Sequence, residues 1–172
     1  MEKKNIILVG KAASGKDYFK DYLIKRGFKT STSHTTRPMR DGETNGKTYH
    51  FTSKFIFKVK AFFGYFFEYK EFNGWLYGTS KKEMKKGEVF IFTPGGVKDL
   101  PQEFLDNSIV VFFDIRENIR KIRLEKRSDS DQVWRRLLAD EKDFKNFHQW
   151  NKRIVKPFFS CESLLNEINY ER

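Results

Sequence analysis

The feature that most constrains this chain is an apolar run that passes straight into a glycine loop and then into a helical pattern. Residues 5–9 are short, apolar and partly β-branched, and Gly10 closes them, which suits a strand covered on both faces. Across residues 16–26 the side chains of Phe19, Tyr22 and Leu23 recur at helical spacing, and Gly27 follows as a stop. Two later runs, residues 88–93 and 108–114, are also continuously apolar rather than alternating. That pattern belongs to parallel strands sandwiched between helices. Residues 28–33 read as a further strand, and 117–127, 131–147 and 163–168 as helices. The expectation is an α/β, three-layer fold with a central parallel sheet. Residues 34–85, rich in aromatics and glycine, break the rhythm and read as an inserted subdomain.

Gly10-Lys11-Ala12-Ala13-Ser14-Gly15-Lys16-Asp17 fits the GxxxxGK pattern of the Walker A motif. Glycines let successive backbone N–H groups turn inward around phosphate oxygens, and the helix start beyond them favours an anion. Lys16 would reach the β- and γ-phosphates of a nucleotide. Gly10, Lys11, Ala12, Ala13, Ser14, Gly15, Lys16 and Asp17 are therefore the candidate ATP-binding residues of a P-loop fold. Asp17 stands where the motif carries Ser or Thr. A carboxylate is a hard oxygen ligand suited to Mg²⁺, so Asp17 is the candidate metal residue for Mg²⁺ bound with ATP. The alternative role for Asp17 is a helix-terminal acid stabilised by the dipole.

Composition narrows the partners. The formal charge is +11, which favours anions of some kind, nucleotides among them. No nucleic-acid-binding motif is present, and no run approaches the ~20 apolar residues of a membrane span. The N-terminal apolar segment is too short for a signal peptide, so a cytoplasmic protein with no membrane partner is expected. Cys161 is the only cysteine, which excludes an internal disulfide and a multi-cysteine zinc site. His34, His50 and His148 lack ligand spacing and read as surface or hydrogen-bonding residues. The aromatic stretch over residues 55–69, punctuated by Lys58 and Lys60 and preceded by Lys54, is expected to form the insert's own small core. A basic aromatic helix lying on a membrane is the other reading of it.

A second group of residues points to an acceptor. Ser33-His34-Thr35-Thr36-Arg37-Pro38-Met39-Arg40 places two arginines three apart, able to clamp a phosphate with planar paired donors. Asp41-Gly42-Glu43 and Gly46-Lys47-Thr48-Tyr49-His50-Phe51 follow, then Glu68-Tyr69 and Gly74-Trp75-Leu76-Tyr77-Gly78-Thr79. In this order and spacing the chain resembles a divergent guanylate kinase, a P-loop nucleoside monophosphate kinase. The resemblance implies transfer of the γ-phosphate of ATP to GMP or dGMP. It implies that Ser33, Arg37, Arg40, Tyr49 and Tyr77 hold the acceptor phosphate, with Gly78 in the same turn, and that Glu68 and Thr79 read the base. Independently of the family, a carboxylate at Glu68 can accept from guanine N1–H and N2–H₂ together, and adenine offers no such pair. Arg123, Arg127 and Arg136, in RLEKR and RRLL, match the family's lid arginines and would spread charge on the transferring phosphoryl group.

The expected domain plan is one guanylate-kinase-like domain over residues 1–172. Its core is residues 1–32, 87–122 and 148–172, with an acceptor-binding insert at 33–86 and a helical lid at 123–147. The chain departs from the family after residue 92, where Thr93-Pro94-Gly95-Gly96 replaces the usual D-x-D. Ribose 1,5-bisphosphate phosphokinases resemble guanylate kinases, can carry GKD in the loop and lack D-x-D, so they are the alternative. A non-catalytic guanylate-kinase-like binding module is the second alternative, against which the retained Lys16 argues.

Overall fold

Alternate residues of the first strand, β1 (Asn5–Gly10), enter two different cores, and this decides the architecture. The computed structural model describes residues 5–72, 74–126 and 133–168. After β1 come α1 (Lys16–Lys25), β2 (His34–Thr35), β3 (His50–Phe51), α2 (Lys54–Phe62), β4 (Phe66–Phe72), β5 (Trp75–Ser80) and α3 (Lys81–Lys86). The chain continues with β6 (Val89–Ile91), α4 (Pro94–Lys98), α5 (Gln102–Asp106) and β7 (Ser108–Phe113). It ends with α6 (Glu117–Glu125), α7 (Val133–Phe144), β8 (Lys152–Ile154) and α8 (Cys161–Glu167).

Strands β6, β1, β7 and β8 form a parallel sheet in that order. Ile6, Leu8, Val111 and Phe113 face Phe19 and Leu23 of α1 and Leu164 of α8. Ile7, Val9, Val110 and Phe112 face the other way, toward Val97 of α4 and Phe144 of α7. Ile6, Ile7, Leu8 and Val9 are all 0% exposed, which is why the run reads as continuously apolar. Each such side chain contributes roughly 1.5–3 kcal/mol of burial at most. The layers are helix, parallel sheet, helix.

The second sheet is built from residues 34–80, in the order β3-β2-β5-β4. Strands β4 and β5 form an antiparallel pair with a register shift between Phe66 and Glu68. That bulge lets Phe66 pack toward α2 while Glu68 turns to the opposite side. Phe57 of α2 is fully buried, its ring stacked 4.3 Å from Phe66 and edge-on to Tyr69 at 6.0 Å. Ser53 caps α2 by accepting from the Ile56 N–H.

Three sequence expectations are corrected here. Residues 28–33 are not a strand. Thr30 makes an isolated bridge to Val89 and Ser31 N–H donates to the Val89 carbonyl, after which the chain leaves for the second sheet. The aromatic stretch is not a core of its own. Phe57 and Phe66 are buried, but Phe55, Phe62 and Phe63 are 76%, 85% and 77% exposed, because α2 covers its sheet with one face only. His34 is neither at the surface nor hydrogen-bonded at Nδ1 among the described residues. It sits on β2 between β3 and β5, its ring 4.7 Å from His50 and 5.4 Å from Tyr65 and Phe66. Among the described residues no helix is long and apolar enough to cross a membrane.

Candidate active site

Gly10 ends β1 with no room for a side chain, since a Cβ there would lie 2.8 Å from the Phe113 carbonyl oxygen and from Ser14 Oγ. Ala13 (φ 57°) and Gly15 (φ 104°) both adopt the left-handed conformation, and turns of this kind gather N–H groups into a concave anion site. Lys16 opens α1 and folds back over the loop, its Nζ donating to the carbonyls of Gly10 and Lys11.

Helices α6 and α7 brace this loop from outside. Asp140 Oδ2 accepts from the Ala12 N–H at 2.9 Å and from Arg120 at 2.6 Å, with both charged side chains almost fully buried. Arg120 also donates to the Ile115 carbonyl. Arg123 donates to the carbonyls of Ala13 (3.1 Å) and Pro157 (2.6 Å), so it grips the loop and is not among the residues facing the cleft. Arg136 does face the cleft, as does Lys126. Arg127, expected to act beside them, lies outside the described residues.

The cleft itself has a volume of about 580 Å³, within the usual range for small-molecule sites. The loop side supplies Gly10, Ala12, Ala13, Lys16 and Asp17. The second sheet and its loops supply Ser33, Arg37, Arg40, Tyr49, Glu68, Tyr77 and Gly78. Sequence-distant candidates thus converge on one cavity. Lys11 lines a separate cavity, where it pairs with Asp114 at 3.4 Å. Ser14 Oγ, 3.5 Å from Lys16 Nζ, and Gly15, which precedes α1, belong to the loop without lining the cleft.

Arg37 is buried and held in place. It donates to Glu43 Oε1 at 2.6 Å and to the Pro38 carbonyl at 2.7 Å, with its guanidinium 5.5 Å from the Tyr49 ring centre. Glu43 Oε2 accepts from the Arg40 N–H at 2.8 Å, so one carboxylate orients both arginine positions. Burial pushes the Tyr49 and Tyr77 phenols up, which keeps them neutral O–H donors.

Glu68 is the other anchor. Its Oε1 accepts from the Thr79 N–H at 3.1 Å, and Thr79 Oγ1 is 3.1 Å from Ser33 Oγ. Burial pushes the Glu68 carboxyl up to about 7, against the pull of the Thr79 hydrogen bond. The Thr93–Gly96 segment that replaces D-x-D opens α4. Thr93 Oγ1 caps it by accepting from the Gly96 N–H, and Pro94 occupies the first turn. Gly96 lies directly against Glu68, since a Cβ there would sit 3.2 Å from Oε2.

Asp17 projects from the first turn of α1 at the cleft, 65% exposed and 3.9 Å from Lys20. Among the described residues no group of three or more His, Cys, Asp or Glu could enclose a metal. One carboxylate combined with nucleotide phosphates is nonetheless a usual way to hold Mg²⁺, so the residues present fit that ion bound with ATP.

Sequence reasoning missed Glu43 and Asp140. Asp140 had a signal, because it lies in the inward stripe of α7 with Arg136, Leu137 and Phe144, where a charge requires a partner.

The guanylate kinase family model matches residues 2–147. The chain belongs to the guanylate kinase family. It is 32% identical over 184 aligned positions to the guanylate kinase of Wigglesworthia glossinidia brevipalpis, covering 96% of this chain and 86% of that protein. It is 39% identical over 83 residues to the guanylate kinase of Sus scrofa, a match spanning 46% of this chain and 42% of the pig protein. The chain thus matches less than half the length of that curated relative. The crystal structure of guanylate kinase from Anaplasma phagocytophilum shares the fold, with a TM-score of 0.70 at 20% identity, over 98% of this chain and 85% of that one. This chain's parallel sheet flanked by helices is the fold shared with that structure.

Proposed function

We propose that this chain transfers the γ-phosphate of ATP to GMP or dGMP, giving GDP or dGDP. The observation that carries the reading is Glu68. Its carboxylate is oriented by Thr79, sits against Gly96 and lines the same cleft as the Lys16 loop. An ionised carboxylate there would accept from guanine N1–H and N2–H₂ together, and AMP would leave it unpaired.

Position in the cleft supports the following roles. The loop amides from Gly10 to Asp17 cradle the ATP phosphates, and Lys16 exchanges its loop carbonyls for β- and γ-phosphate oxygens. Arg37, Arg40, Tyr49 and Tyr77 hold the acceptor phosphate, with Ser33 and Gly78 completing the wall and Thr79 supporting Glu68. Arg136 faces the donor side and spreads charge as the phosphoryl group passes in line between donor and acceptor oxygens. Arg123 acts by bracing the loop, and Arg127, matched to the family's lid arginines by resemblance, would share their role. Asp17 would hold Mg²⁺ together with the ATP phosphates, and the ion would supply charge neutralisation there. The insert at 33–86 and the lid at 123–147 close on the core and exclude water. A reaction fed by ATP and GMP belongs in the cytoplasm.

The test is an ADP-release assay with MgATP against GMP, dGMP, AMP, CMP, UMP, dTMP and ribose 1,5-bisphosphate. Turnover with GMP or dGMP, lost in Glu68→Ala, is expected. Asp17 and the Thr93–Gly96 segment favour the bisphosphate as a second reading, and turnover with that compound alone would replace the proposal. ATP binding without turnover on any of these compounds would mean an acceptor outside the panel, whereas loss of ATP binding altogether would mark a binding module.

A further inference from the structure

Helix α2 buries one face and presents an apolar face on the opposite side. Phe57 points inward and is 0% exposed. A helix turns about 100° per residue, so Phe55, Ile56, Val59, Phe62 and Phe63 share an arc of roughly 120° on the side away from Phe57. Their exposures are 76%, 49%, 40%, 85% and 77%. Contiguous aromatic exposure of this kind marks an interaction surface on a soluble domain.

The charge around this stripe is of one sign. On the same helical count Lys54 and Lys58 border one edge and Lys60 the other, and α2 contains no acidic residue. Helix α3, which follows β5, meets the chain just beyond the end of α2, with the Lys81 N–H donating to the Tyr65 carbonyl at 3.3 Å. It adds Lys81, Lys82, Lys85 and Lys86, all exposed. Its single acid, Glu83, is 7% exposed and accepts from the Thr32 N–H at 2.8 Å, so it does not offset them at the surface.

We propose that this α2 face docks the protein on an anionic bilayer surface, with Phe55, Phe62 and Phe63 at the acyl boundary and the lysines among the lipid phosphates. Flanking lysines can lay their methylene stems along the apolar stripe while their ammonium groups reach outward. The net charge of +11 complements such a surface. A second copy fits less well, because two α2 faces docked together would oppose lysine borders of like sign. The docked helix lies on the membrane without crossing it. It also leaves the cleft accessible, since α2 packs on Phe66 and Tyr69 whereas Glu68 and Lys70 line the cavity.

The test is co-sedimentation of the full chain at physiological salt with two vesicle types, phosphatidylcholine alone and phosphatidylcholine mixed with phosphatidylserine. Binding to the anionic vesicles only is expected. Phe62→Ser combined with Phe63→Ser is expected to lower the partition about a hundredfold or more, the low end of what loss of two inserted rings implies. Lys58→Glu should lower it about fivefold or more. Both variants should keep the wild-type unfolding midpoint and nucleotide turnover, because they change side chains that already face water. Absence of anionic-vesicle binding overturns the proposal. So does unchanged binding by the double serine variant, which would mean adsorption through the general basic surface. A wild-type dimer in sedimentation velocity that the serine variant breaks would assign the face to a second copy instead.

Discussion

Replacing Glu68 with Gln is expected to stabilise the unliganded protein while disabling base recognition. Burial raises the Glu68 carboxyl from 4.5 to about 7. A carboxyl with a raised folded value holds its proton more tightly folded than unfolded, so stability falls as pH rises from 4.5 through 7 and the full cost persists above that. At about 1.4 kcal/mol per pH unit, ionised Glu68 costs the apo fold at most about 3 kcal/mol above neutrality. Gln keeps the oxygen that accepts from the Thr79 N–H and carries no charge. Urea unfolding followed by fluorescence of the three tryptophans measures the difference. At about pH 8 Glu68→Gln should exceed wild type by up to 3 kcal/mol, and near pH 4.5 the two should converge. His34 sharpens the contrast. Burial, then Lys60 and His50, lower its value from 6.5 to about 4, so its contribution is present above 6.5 and lost as pH falls toward 4. In wild type the two groups oppose each other across most of that window, and in Glu68→Gln the acid loss from His34 is unmasked. A variant no more stable than wild type at pH 8, or a gap independent of pH, refutes the reasoning.

Further outcomes follow from the same geometry. The KM for GMP should rise as pH falls below about 7, because a protonated Glu68 accepts fewer hydrogen bonds from guanine; a flat profile in steady-state kinetics counts against its base-reading role. Arg37→Lys should raise the acceptor KM by about tenfold, since lysine cannot pair with Glu43 and a phosphate in one planar geometry. Gly10→Ala should lower stability by roughly 1–3 kcal/mol, measured by the urea midpoint, because its Cβ meets backbone rather than a flexible side chain. Asp140→Asn should cost about 3–5 kcal/mol by leaving Arg120 buried without its counter-charge, and a loss below 1 kcal/mol would show that the pair is dispensable.

The parallel sheet was legible because its strands are buried on both faces, and the sequence shows that as unbroken apolar runs at Ile6–Val9 and Ile109–Phe113. The second sheet was harder. Strands β2 and β3 have two residues each, too few for any periodicity. Residues 28–33 carry strand-like side chains, yet the bridge at Thr30 is the whole of their pairing with the parallel sheet. The rings of α2 could not be sorted into inner and outer faces when apolar residues lie on both. Most of the cleft was readable from motif spacing. Its ion pairs were not, because Glu43 with Arg37 and Asp140 with Arg120 are chosen by tertiary proximity. The Thr93 cap with Pro94 behind it was a legible helix start whose brevity hid it.

The single irregularity in β4 has a consequence for where its side chains face. A regular strand ties each side chain to its neighbours by strict alternation, so the facing of one residue fixes that of all the others. Between Phe66 and Glu68 that coupling is broken. The same residues in a regular strand would therefore turn Glu68 away from the cleft while Phe66 stayed against α2. One inserted position decides which side chains of a thin sheet face the cleft.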